Sequence, residues 1–436
     1  MAGILSKAAA IVGAAEANEI GFLENPVSSL QLHIEAIKNL SDQTGVPISK
    51  IEGVFSTGWS SELCEHLGIT PKYIDTTAVG GCSFEMHVHH ALAAIHSGII
   101  DIALVSHGEN GFSARAIGGR GSGNYGVGGG VTSPAMEMTM AYGLGGAPSN
   151  YAHAMVRHMH RFGTTTEDFA HIAKVTRDWA TLNPRAAMYS KDKHPFGGPI
   201  TVEQVEESRL IAWPMTILHC CMVADHGGAV LIASPKVAAS LQTKPVWIAG
   251  AGESMGHSNM LEMDDFTATS AANSAREAYT MAGMGPDDME MALIYDSFTI
   301  TAAMTVEMLG LTPRGEGHTL WKDGHASPGG KFPINTNGGG LSFNHSGMYG
   351  MPLLIEGYRQ LSGTAEDGVN GDPGKQTSAK TCVINGTGGA LSTTGTLVYA
   401  WATACAAAKP PLSKPRPLSK VFASTTRSSD SLVCPE

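Results

Sequence analysis

Long apolar runs are missing from this chain: no stretch reaches the ~18 residues a helix needs to cross a bilayer, so no membrane span is expected. Charge is scarce as well. Asp, Glu, Lys and Arg make up only 15% of residues, the net charge is −11 and Lys and Arg nowhere cluster. A chain without a basic patch has no electrostatic footprint for a phosphate backbone, so nucleic acid is not an expected partner. The cysteines number seven, an odd count, and form no C-x-x-C pair. That usage fits a reducing compartment better than a disulfide framework, and the cytoplasm is the expected location. The N-terminal region lacks a secretory pattern, since the apolar stretch Ala8 to Ala15 is too short and has no cleavage context. Cys434-Pro435-Glu436 matches neither a peroxisomal tripeptide nor a prenylation box. His87-Val88-His89-His90 has the residue type of a metal site, but on a helix 89 points away from 87 and 90, and no carboxylate or cysteine set completes it. No metal is expected.

What the chain does have is glycine, 53 residues of it, within 436 residues that are 43% hydrophobic. That is enough for one large or two medium domains with a buried core and many tight turns. Two segments share one pattern. Ala9-Ala-Ile-Val-Gly-Ala-Ala15 is an apolar strand ending in small residues, and Val246-Trp-Ile-Ala-Gly-Ala-Gly252 repeats it. Each is followed by a helical stretch, Ser28 to Leu40 or Ala271 to Met284, and then by a strand, Ile51 to Phe55 or Met291 to Tyr295. Each half also offers a later buried strand, Ile100 to Val105 and Thr381 to Ile384. Apolar strands alternating with helices imply an α/β fold with parallel sheet covered on both faces, here duplicated. Between the halves, Ser149 to Ile211 reads as mostly helical, with Thr165-x-x-Asp168 as a capping box. Gly118 to Gly130 is a glycine-rich loop, read equally as a surface turn or a ligand cover. After Trp401 periodicity disappears, and 402–436 reads as a disordered tail without visible chemistry.

Two glycine-rich segments carry candidate chemistry. Asn335-Thr-Asn-Gly338-Gly339-Gly340-Leu-Ser-Phe-Asn-His345-Ser-Gly347 leads to one histidine, and Cys382-Val-Ile-Asn-Gly386-Thr-Gly388-Gly389 leads away from one cysteine. Glycine lets backbone approach a ligand closely, and a His and a Cys delivered on such turns suit acid, base or nucleophile work on a thioester. For each residue a bland reading stands beside the chemical one: a packed turn histidine for His345, and a small hydrophobe inside an apolar strand for Cys382.

This pattern resembles the thiolase superfamily, whose C-terminal half carries N-x-x-G-G-x-x-x-x-G-H-P and a later C-x-G-x-G. The resemblance covers roughly residues 8–400 and implies the thiolase-like five-layered αβαβα duplication. It places an N-terminal half at 1–240, with a lid insertion at about 110–211, and a C-terminal half at 241–401. Asp225-His-Gly-Gly-Ala-Val-Leu-Ile-Ala-Ser234 resembles the strand that closes the family's first half. By resemblance His345 supports a thioester oxygen and Cys382 moves the α-proton, while Gly338, Gly339, Gly340, Gly386 and Gly388 approach the substrate. His345 is not followed by the family's Pro, and the next glycine comes one residue early.

Cys82, in Val79-Gly80-Gly81-Cys82-Ser83-Phe84, lies where the family places its nucleophile, at a helix N-terminus that lowers a thiol pKa. The family's cysteine stands seventeen positions before the helix-closing glycine. Cys82 is sixteen before Gly98, and the seventeenth position is Gly81. Either one residue is deleted in the helix, which turns its face by ~100°, or the nucleophile is gone. Tyr295, in the place of the family's N-E-A-F or H-D-C-F segment, resembles the thiolase-like steroid side-chain aldolases, which lack that cysteine, and the thiolase-like subunit of phloroglucinol acetyltransferases. A tyrosine there can exchange a hydroxyl proton if its pKa is lowered; packing on the core is the other reading.

The resemblance points to the sterol-carrier-protein-like, lipid-transfer branch and implies an enzyme that forms or cleaves a carbon–carbon bond beside a CoA thioester. The first expectation is acetyl-CoA acyltransferase chemistry with Cys82 acylated. Two alternatives stand beside it: a retro-aldol lyase on a β-hydroxyacyl-CoA using Tyr295 without an acyl-enzyme, and a non-catalytic thiolase-shaped acyl-CoA-binding subunit. No cofactor beyond CoA itself, as substrate, is implied. A homodimer is expected, and a small OB-fold, zinc-ribbon partner is a feature of the branch.

Overall fold

The computed structural model describes residues 3–117, 146–258, 260–365 and 374–401. The glycine loop Gly118 to Gly130 and the tail 402–436 lie outside the described residues. The described residues form eleven strands: β1 (Ala10–Glu16), β2 (Gly53–Phe55), β3 (Tyr73–Asp75), β4 (Ile102–Asn110), β5 (Leu210–Ala212), β6 (Met215–Thr216), β7 (Asp225–Ala233), β8 (Val246–Met255), β9 (Met291–Ile294), β10 (Thr381–Gly388) and β11 (Thr393–Ala400). Nine form one sheet in the order β3-β2-β4-β7-β1-β8-β11-β10-β9, and β5 with β6 makes a separate hairpin. The longer helices are α1 (Ser29–Thr44), α2 (Ser60–Leu67), α3 (Ser83–His96), α4 (Ala147–Phe162), α5 (Thr166–Ala180), α6 (Ala271–Ala282), α7 (Thr299–Met308) and α8 (Gly350–Ser362).

The repeated strands predicted from sequence are β1 and β8, and they lie side by side at the centre of the sheet. The sheet is mixed rather than parallel. Only β2 with β3, β2 with β4 and β9 with β10 run parallel. β7 returns between β4 and β1, antiparallel to both, and β10–β11 is a hairpin, so each half closes by reversing direction. Burial on both faces explains why these strands still read as continuous apolar runs.

Five layers follow from where the helices pack. α3 and α8 each touch strands of both halves, β4 or β7 on one side and β10 and β11 on the other, so the sheet wraps around them. α1 covers the outside of the first half, against β1, β4 and β7, and α6 covers the outside of the second, against β8 and β11. α3 is buried along most of its length, as are α7 and α8.

The insertion between the halves is helical through α4 and α5. Thr165 and Asp168 form the reciprocal capping box, each side chain bonded to the other's backbone N–H. After Ala180 the helical expectation fails except for one short helix, Val202–Glu206. Residues 181–201 are turns, held by the buried guanidinium of Arg177, which donates to the Phe196 and Gly198 carbonyls and to Ser342 Oγ.

Candidate active site

Strand β9 ends at Ile294, and the next residue, Tyr295, points into a cavity of about 410 Å³. Its walls come from both halves: Ala78 to Gly81 ahead of α3, Tyr151 on α4, Cys221 ahead of β7, Ser297 and Phe298, the turn carrying His345, and Thr387 to Gly389 at the end of β10. The two halves meet here with backbone against backbone. A Cβ on Gly80 (φ +92°) would lie 2.8 Å from Gly389 N, and one on Gly388 would lie 2.0 Å from the Val79 carbonyl oxygen. Only glycine permits that approach.

Tyr295 and His345 form the polar centre. The Tyr295 hydroxyl is 3.0 Å from His345 Nε2 and accepts the Tyr349 backbone N–H at 3.1 Å. Because its oxygen already accepts from Tyr349, the phenol's own proton is directed to His345 Nε2 or to the Gly347 carbonyl, 3.5 Å away. Burial lowers the His345 pKa to about 4, so at neutral pH the ring is an uncharged imidazole that can accept a proton. Burial, aided by Cys221, Tyr151 and Glu109, raises the Tyr295 phenol well above its ordinary range. The lowered tyrosine pKa that base chemistry would call for is therefore absent: the resting side chain is a neutral phenol able to relay a proton.

Position 81 separates the two register options. A Cβ on Gly81 would lie 2.1 Å from Tyr295 Cε2 and 2.6 Å from its hydroxyl oxygen, so the phenol fills the space in which a side chain at 81 would stand. Cys82, one residue on, does not line the cavity. It is fully buried at the start of α3, with its Sγ 3.0 Å from where a Cβ on Gly388 would lie. Burial, with the Glu85 carboxylate second, raises its thiol pKa well above the usual value. The expected helix-terminus effect, worth at most ~2 kcal/mol, does not overcome that desolvation.

Cys382 is also separated from the cavity. It is buried on β10 opposite Tyr399 of β11, and burial raises its thiol pKa. Six residues of strand at ~3.3 Å each put it ~20 Å from Gly388, which does line the cavity. The expectation that Cys382 and His345 share one site is thus corrected by strand geometry. Gly338, Gly339 and Gly340 are corrected too, for they do not line this cavity. They wrap the Asp296 carboxyl, which accepts the Gly340 N–H at 2.6 Å and is pushed by burial up to about 7. A Cβ on Gly338 would clash with Ala180 of α5, and one on Gly339 would come within 2.1 Å of Asp296 Oδ2. Gly386 is needed for the close passage of Glu85, whose Oε2 would be 2.3 Å from a Cβ there.

Sequence reading missed Tyr151, Cys221 and Ser297. Tyr151 packs its ring on Phe298 at 4.4 Å, and its hydroxyl donates to the Gly389 carbonyl at 3.2 Å. Ser297 was within reach of a sequence argument, two residues beyond Tyr295. Tyr151 and Cys221 sit on a helix and a loop that carry no motif. His89 and His90 are bound to Glu253 and Asp75, and the described residues contain no cluster suited to a metal.

Residues 252–401 match the family model described as thiolase C-terminal domain-like. A steroid side-chain-cleaving aldolase of Thermomonospora curvata is 30% identical, over 83% of this chain and 91% of that protein. The chain belongs to the thiolase superfamily. Within it, the sterol-carrier-protein-like branch is supported by sterol carrier protein 2 of Homo sapiens, 31% identical over 51% of this chain and 41% of that protein. The benzoylsuccinyl-CoA thiolase subunit BbsB of Thauera aromatica is 32% identical to this thiolase-superfamily chain, over 72% of it and 74% of the subunit. The solved Ltp2–ChsH2(DUF35) aldolase superimposes with a TM-score of 0.79 at 27% identity, covering 92% of this chain and 99% of that one. This superfamily member is accordingly an enzyme of thiolase-like carbon–carbon bond chemistry on acyl-CoA.

Proposed function

We propose that this enzyme is a retro-aldol lyase that cleaves a β-hydroxyacyl-CoA without an acyl-enzyme. One observation carries the reading: the Tyr295 phenol occupies the space in front of Gly81, where the family's nucleophile would stand, while the Cys82 thiol is buried away from the cavity. The relatives named as an aldolase and as a CoA lyase support it.

With the substrate's β-hydroxyl hydrogen-bonded to Tyr295, the phenolic proton passes to His345 Nε2 as the phenol oxygen takes the hydroxyl proton. The Cα–Cβ bond then breaks. Its electron pair moves to Cα as the thioester enolate, and the Cβ–oxygen bond becomes a carbonyl. The imidazolium formed on His345 offsets the enolate's charge and returns the proton toward Cα. The products are an aldehyde or ketone and a shortened acyl-CoA, and no free CoA is consumed. A homodimer in the cytoplasm, working with a small OB-fold, zinc-ribbon partner, belongs to the same reading; the DUF35-containing complex among the similar structures supports the partner.

The test incubates the protein, alone and with such a partner, with a panel of β-hydroxyacyl-CoAs and acyl-CoAs. Peptide mass spectrometry follows acylated cysteine, and chromatography follows the products. The expected result is aldehyde or ketone release with no adduct on Cys82. An acyl group on Cys82 that chases off with CoA would overturn the lyase in favour of the transferase.

A further inference from the structure

β4 ends beneath the turn that carries His345, and it brings two buried groups the chemistry above does not use. His107 and Glu109 are two residues apart on the strand and so share a face. Glu109 Oε2 accepts the Met348 N–H at 2.9 Å and the Ser346 hydroxyl at 3.3 Å. His107 Nε2 lies 3.2 Å from the same Ser346 oxygen and 3.5 Å from Glu109 Oε2. Glu109 Oε1 has no hydrogen-bond partner and stands 2.3 Å from where a Cβ on Gly347 would be. Gly347 (φ +144°) lines the cavity. A fully buried carboxyl is costly to place, and no Lys or Arg pairs with this one among the described residues. Packing alone gives no reason to keep it there. Its contacts instead fall on the residues directly after His345.

We propose that Glu109 is a positioning residue for the reaction: through Ser346, Gly347 and Met348 it holds the turn that sets His345 Nε2 against the Tyr295 hydroxyl. The inference rests on Tyr295 and His345 being the reacting pair. It gives Glu109 no contact with substrate. It also accounts for glycine at 347, since any side chain there would push the carboxyl and the turn apart.

A double-mutant cycle on the full chain tests it. Glu109→Met fills similar volume without an acceptor, and Glu109→Gln keeps a carbonyl for the Met348 N–H. We expect Glu109→Met to lower kcat about 50-fold with KM changed less than about 3-fold, and Glu109→Gln to recover to within about 5-fold of the parent. In a His345→Ala background the same Glu109→Met change should cost less than about 3-fold, because the group it acts through is gone. Equal losses in both backgrounds would overturn the proposal, as would a rise in KM alone. Should Glu109→Met fail to fold, Ser346→Ala takes its place, with a loss of about 10-fold expected only when His345 is present. Tyr295→Phe separates the two readings. Full turnover in that variant sinks the lyase chemistry, whereas a dead Tyr295→Phe with equal Glu109 losses in both backgrounds sinks the positioning role alone.

Discussion

At the scale of single residues the site is decided by which side chain fills the space in front of position 81. Tyr295→Phe removes the proton relay but keeps the ring; kcat should fall by about 10²–10⁴, the usual worth of a general acid–base group, with acyl-CoA binding retained. Steady-state kinetics alongside a binding titration checks both halves of that statement. Cys82→Ser should leave turnover within about 3-fold, because a buried thiol of raised pKa is a poor nucleophile. A loss as large as that of Tyr295→Phe would restore the acyl-enzyme. Gly81→Ala places a methyl 2.1 Å from the Tyr295 ring and should impair kcat nearly as much as Tyr295→Phe does, while far-ultraviolet circular dichroism stays unchanged.

At the scale of elements, two features are tuned by what packs against them. The turn 338–343 folds onto Asp296, and Gly339 has φ +63° with no room for a Cβ. Gly339→Ala should destabilise the protein by about 3 kcal/mol in denaturant titration, from overpacking and a disfavoured backbone region together. The first turn of α3 carries Glu85, fully buried with both carboxyl oxygens unpartnered; burial pushes its pKa up to about 8. The folded state therefore keeps a proton that the unfolded chain releases near pH 4.5. Stability from this group is intact below that pH and declines as pH rises toward about 8, levelling off beyond it. Glu85→Gln cannot ionise, so its thermal midpoint should gain on the parent's between pH 5 and pH 8; a constant difference across that range would count against the buried acid.

At the scale of the whole molecule, the halves share one sheet and one site. β1 and β8 pair through only Ala10–Trp247 and Ile11–Val246, but α3 and α8 pack on strands of both halves. Residues 1–240 and 241–401 expressed separately should each lack a cooperative unfolding transition, and neither should bind acyl-CoA; calorimetry and a binding titration would show this. A sharp transition in either half alone would mean that its core is independent.

Much of this was legible in the chain. The repeated strands Ala9 to Ala15 and Val246 to Gly252 and the capping box at Thr165 and Asp168 announce themselves through local pattern, because period and cap chemistry act over a few residues, and Tyr295, just after β9, through its place in the resemblance. His345 was found the same way, at the end of a glycine run. The errors arose where the answer depended on direction in space. Gly338 to Gly340 read as ligand-facing, but their missing side chains make room for Asp296 and Ala180, contributed by other elements. Cys382 read as part of the site, and the length of β10 carries it away. Tyr151 and Cys221 enter the cavity from segments with no motif of their own.

The sequence by itself determined a repeated strand–helix–strand pattern of α/β type, which follows from periodicity, and a histidine and a tyrosine in glycine-rich surroundings; the thiolase-type fold came from the resemblance its short motifs carry. Only the tertiary structure decided that Gly81 rather than Cys82 faces the cavity. A step of one residue at a helix start swings the side chain by ~100°, and what it then meets, the Tyr295 ring or the buried side of Gly388, is supplied by the other half of the chain.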